Sequence, residues 1–207
     1  MKKLLVLCLS VMVILPQSAN AFSLKNLFVK ETKTQQQSKE TVNYTNSVMT
    51  KIDNLNKQGE QLEKDVKNSF INLAYTLSPT DEAKVIEQNI NKKESDVFQI
   101  IDDYTTKMKK NKGNTISEME VLKQKDRETL SQNLNTLSNA SKEYAKLSKE
   151  SLKLGIDVVK NTSRGDTQTK LLKEVANAGS DFRDNAKSLV LVSNIGKTYS
   201  KLAKIKL

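Results

Sequence analysis

The chain has no histidine, no tryptophan, one cysteine, two prolines and six glycines in 207 residues. Without histidine it lacks the commonest general base and the commonest metal ligand. The single cysteine, Cys8, can form neither an internal disulfide nor a structural zinc site alone. No serine stands in a Gly-x-Ser-x-Gly elbow, and no glycine-rich loop could cradle a phosphate. Asp102 and Asp103 are adjacent, but neighbours on a helix point different ways, so they form no carboxylate dyad. The reading is non-enzymatic. It assigns no catalytic residue, no metal, no cofactor and no small-molecule substrate.

Long apolar runs are also scarce. The one clear run, residues 4–15, follows Lys2 and Lys3, is broken by Pro16, and ends in Ser18-Ala19-Asn20-Ala21. It is too short for a span of about 20 residues. A charged start, an apolar middle and a small-residue end make residues 1–21 a signal peptide cut after Ala21. The product is expected in the periplasm, outside the cell or on its surface. The formal net charge is +10, and removal of Lys2 and Lys3 leaves +8. Such a balance suits an acidic protein partner or an anionic membrane surface. Nucleic acid is not expected, because aromatics make up only 5% of the chain and the lysines are spread among acids.

What remains is helical. Residues 22–37 read as a polar flexible arm with an apolar start. Beyond it, apolar residues recur at spacings of three and four. A first helix over 38–77 carries Val48, Ile52, Leu55, Leu62, Val66 and Leu73. Its rhythm is weak at Gly59, which marks a close crossing or a bend, and at Ser69. Ser78 as N-cap and Pro79 as first helical residue open a second helix over 79–112. Its seam is Ala83, Ile86, Ile90, Val97, Ile101, Tyr104 and Met108. Gly113 closes it, and Thr115 with Glu118 forms a capping box for a third helix over 115–160. A fourth, over 166–207, has Leu172, Val175, Gly179, Phe182, Ala186 and Leu189 as its seam. The fold class is all-α. Short turns between long helices predict an elongated antiparallel four-helix bundle with coiled-coil-like packing, three helices being the fallback, in one domain over 38–207.

Two stretches are candidate binding elements. Arg164-Gly165-Asp166 is a tripeptide that integrins read on exposed loops. The same residues suit a helix connection: a cation at a helix end, a left-handed glycine after it, and Asp166 capping the next helix. The second is the basic amphipathic end of the chain. Leu191, Val192, Ile195, Tyr199 and Leu202 lie opposite Lys197, Lys201 and Lys204 on a helical wheel. Residues 183–207 hold six cations and one anion. Such a helix can lie on anionic lipid, or it can be the last helix of the bundle.

In general plan (exported, helical, rich in Lys, Asn and Gln) the chain looks like the helical minor pilus subunits of type IV secretion systems, and like some surface or periplasmic proteins of AT-rich bacteria. The resemblance is one of composition, so it transfers no functional residue. The expected function is binding in the cell envelope or at the cell surface, as a structural, adhesive or secretion-system component, through a protein partner or self-association. The alternative is a membrane-active protein whose C-terminal helix binds anionic lipid.

Overall fold

The structure, a computed structural model, describes residues 37–110 and 124–202, with side chains over 42–110 and 126–198. The expected signal peptide, nearly all of the expected arm, Gly113, the expected Thr115–Glu118 box and Lys204 lie outside the described residues. Those described are all-helical, in five helices. They are α1 (Gln37–Leu77), α2 (Thr80–Ile90), α3 (Val97–Lys110), α4 (Gln124–Asn161) and α5 (Asp166–Leu202).

The single second helix expected over 79–112 is instead two, α2 and α3. The break falls in Asn91-Lys92-Lys93-Glu94-Ser95-Asp96, six polar residues with nothing to bury. The Ser95 hydroxyl donates to the Ile90 carbonyl at 2.8 Å, closing α2. The Asp96 carboxylate accepts the Gln99 N–H at 2.9 Å, which makes it the N-cap of α3. The start of α2 is also shifted by one residue. Pro79, at φ −54° and ψ 144°, is the N-cap. Its carbonyl accepts from the Ala83 N–H at 3.0 Å. The Ser78 hydroxyl pairs with the Tyr104 hydroxyl, 3.0 Å away, instead of capping.

The helices contribute to two compact units. The first holds α1 to Lys57, α4 from Leu147 and α5 to Asp181. Its core is Val48, Ile52 and Leu55 of α1, Leu147, Leu154 and Val158 of α4, and Leu171, Val175 and Ala178 of α5. The expected α5 seam began at Leu172, but Leu171 is the residue inside and Leu172 is half-buried. Leu171 lies four residues before Val175 and seven before Ala178, so these three share a strip. Ser151 and Ser148 of α4 donate to the Val175 and Gly179 carbonyls of α5 at 2.6 and 2.8 Å. These pairs run antiparallel and hold the two helices close.

The second unit holds α1 from Gln58, α2, α3, α4 to Lys146 and α5 from Phe182. Its core centres on Tyr144. That ring meets Phe98 edge-on at 5.4 Å and Phe182 at 6.2 Å, while Phe70 meets Tyr104 edge-on at 5.3 Å. The Tyr144 hydroxyl donates to the Gly59 carbonyl at 2.8 Å. Gly59 is thus a close crossing: a Cβ there would sit 2.7 Å from Phe182 Cε1.

Candidate functional site

The α4–α5 connection is built by polar side chains returning to helix carbonyls. At the end of α4 the Thr162 hydroxyl donates to the Val158 carbonyl at 2.6 Å. The Asn161 amide donates to the Asp157 carbonyl and carboxylate at 2.9 and 2.8 Å. The Thr169 N–H and hydroxyl both donate to the Gly165 carbonyl, each at 3.0 Å. Gly165 is therefore the cap of α5, and Asp166 is its first helical residue, where a carboxylate complements the helix dipole. The expected roles, glycine left-handed and aspartate as cap, are corrected. Gly165 does not have a left-handed φ, and nothing lies within 4 Å of where its Cβ would be. Neither space nor backbone angle calls for glycine here. Arg164, Gly165 and Asp166 are all exposed.

At the other end of α5, the expected apolar face is divided. Val192 is buried, together with Leu189 and Ser193. Gly196 is buried with them, and the Leu134 side chain occupies the space a Cβ would need. These positions follow the i, i+3, i+4, i+7 pattern of one core strip. Leu191 is 42% exposed, its neighbour Val190 is 47% exposed, and Ile195 is half-buried. Lys197 is exposed. The helix continues to Leu202, but the side chains of Tyr199, Lys201 and Leu202 lie outside the description. The core strip was missed in the sequence because two of its members, Ser193 and Gly196, are not apolar. Their small size was the signal.

Lys187 lies 3.0 Å from Asp184, and Arg183 lies 3.2 Å from the same carboxylate oxygen. Burial pushes the Asp184 pKa up, but hydrogen bonds from Lys187 and Arg183 outweigh it and hold the carboxyl below its ordinary value. In the first unit, the Tyr44 hydroxyl donates to the Asp157 carboxylate at 3.0 Å. Its pKa is pushed up to about 12, first by burial and then by Asp157. This pair ties α1 to α4, and the Tyr44 hydroxyl keeps its proton near neutrality.

Among the described residues no group of three or more His, Cys, Asp or Glu side chains could hold a metal ion. No helix among them is long and apolar enough to cross a membrane. Comparison with protein families, curated proteins and solved structures finds no match for the chain.

Proposed function

We propose that the protein is an exported, non-enzymatic helical-bundle protein that acts by binding in the cell envelope or at the cell surface, in a structural, adhesive or secretion-system role. The observation that carries this reading is the division of α5. Leu189 and Val192 are used up in the core of the second unit, while Val190 and Leu191 between them face outward in a folded helix. Two adjacent exposed apolar side chains near Lys187 and Lys197 are a contact point for another protein or a second copy of the chain. The expected four-helix antiparallel arrangement stands as a proposal for the second unit, with α2 and α3 together in place of its second helix. The exposed Arg164-Gly165-Asp166 turn is the natural element for an adhesive role.

The test is sedimentation velocity of residues 22–207 over a range of concentrations. Association that is lost in Val190→Asp with Leu191→Asp is the expected result. A monomer at every concentration, with no protein captured from envelope extracts through these two positions, would remove the reading's support. The second reading, a basic amphipathic C-terminal helix on anionic lipid, rests on the six cations and one anion of residues 183–207. Burial of Val192 speaks against it, because the apolar side chain that would enter the lipid is already covered.

A further inference from the structure

Among the described residues, the first unit leaves one side of α4 and α5 partly open. Tyr44 of α1 bonds Asp157, so that side of α4 looks to α1. Ser148 and Gly155 mark the seam with α5: the Ser148 hydroxyl bonds the Gly179 carbonyl, and a Cβ on Gly155 would lie 3.4 Å from Val175. Leu152 and Val159 each follow one of these seam residues by four, so they share its strip, away from α1. Ile156 follows Leu152 by four. On α5, Leu172 precedes Gly179 by seven and shares its strip. Leu152, Ile156, Val159 and Leu172 are all half-buried, whereas Leu147, Leu154, Val158 and Leu171 are buried. The described helices of this unit are α1, α4 and α5 alone.

Charge is segregated about the same strip. Lys149 and Lys153 are exposed, three residues before Leu152 and Ile156 respectively, and exposed Lys173 adjoins Leu172. The nearby acids lie one step farther round than these lysines: Lys153 stands three residues after Glu150 and four before Asp157, and Lys173 stands seven after Asp166. Glu150 is seven residues before Asp157, on the strip that faces α1. Glu174 is two residues from Leu172, roughly opposite it on α5.

We propose that this lysine-edged groove of α4 and α5 binds an acidic amphipathic helix of a protein partner. The apolar stripe of that helix would lie on Leu152, Ile156, Val159 and Leu172, and its carboxylates would meet Lys149, Lys153 and Lys173. The inference rests on the reading that the protein acts by binding, and it supplies the chemistry of one partner. The same charge argument disfavours the chain's own apolar residues 22–29, whose neighbourhood carries Lys25, Lys30 and Lys33. It also disfavours a second copy of this basic face. A bilayer fits poorly, because the apolar side chains are half sunk between helices instead of projecting beyond their lysines.

The test uses residues 22–207 with labelled methyl groups. The probe is a synthetic peptide of about three heptads, leucine along one side and glutamate on its flanks. The expected result is saturable binding by fluorescence anisotropy, with shifts of the Leu152, Ile156, Val159 and Leu172 methyl signals. A scrambled peptide of the same composition and a lysine-for-glutamate peptide should leave those signals in place. Lys149→Glu with Lys153→Glu, both exposed and checked for intact helix content, should weaken binding about tenfold or more. The same pair should admit the lysine peptide. Unmoved methyl signals, equal binding of the scrambled peptide, or indifference to the charge reversal would each overturn the groove. So would anionic vesicles that bind the parent chain and not the reversed one, since the face would then belong to lipid. If the groove fails while association through Val190 and Leu191 persists, the binding reading survives it. If both fail, both readings fall.

Discussion

Asn133 is 7% exposed, and its amide nitrogen has no hydrogen-bond partner among the described residues. An unsatisfied buried amide costs about 1–3 kcal/mol, more than most single contacts return. Asn133→Leu keeps the shape and removes the orphan group, so it should raise stability by about 1 kcal/mol in urea titration. Loss of stability would mean that the amide has a partner after all. Glu63 presents the charged version of the problem. Burial first, and then the negative charge of Asp96, pushes its pKa up. The fold therefore favours the protonated acid. That contribution is fully present below the ordinary carboxylate value and is lost as pH rises through the raised one. Glu63→Gln should melt higher than the parent at about pH 7 and alongside it at about pH 3. A difference that does not change with pH would show that the effect is not one of ionisation. Neither residue is legible as costly in the sequence. A lone asparagine or glutamate on a helix looks the same whether it ends inside or outside, because its depth depends on neighbours supplied by other helices. Gly59 was legible as a gap that marks a close crossing or a bend. That the gap receives Phe182 from a helix more than a hundred residues later could not be read from local spacing.

The elements were more legible than their boundaries. Three- and four-residue spacing finds α1, α4 and α5, because each keeps a sustained apolar strip. The same rule joined α2 to α3. Ile90 and Val97 are seven residues apart, so the apolar phase runs on through six polar residues as though the helix did too. The contrary signal was Asp96 followed by Gln99 three positions later, the spacing of a capping box. Here the cap is half of such a box: Asp96 accepts the Gln99 N–H, while the Gln99 side chain donates to Asp103 at 2.9 Å. Asp96→Ala should lower stability by about 1 kcal/mol, with Asp96→Asn recovering most of the loss, as measured by urea unfolding. An Asp96→Ala variant as stable as the parent would mean that packing of Val97 and Phe98, both buried, sets the start of α3 without the cap.

At the scale of the whole molecule, charge and burial give opposing expectations for membranes, and their magnitudes decide between them. Thirty-four cations against twenty-four anions will draw the chain to an anionic surface. That attraction acts through exposed lysines and is screened over about 8 Å at physiological salt. Attachment that survives screening needs apolar side chains in the bilayer as well. On α5 the strip best able to supply them is occupied: Leu189 and Val192 are 0% and 1% exposed. Releasing it would expose a core that includes Leu134 and Leu137, at a cost of about 2–5 kcal/mol for each large side chain left without its packing. Residues 22–207 should therefore sediment with anionic vesicles at low salt, leave them at about 0.15 M, and ignore neutral vesicles throughout. If binding instead persists at physiological salt and vanishes when residues 189–207 are removed, the covered strip must open at a membrane. The basic helix would then be the working element, and the exposed Val190 and Leu191 only its first point of contact.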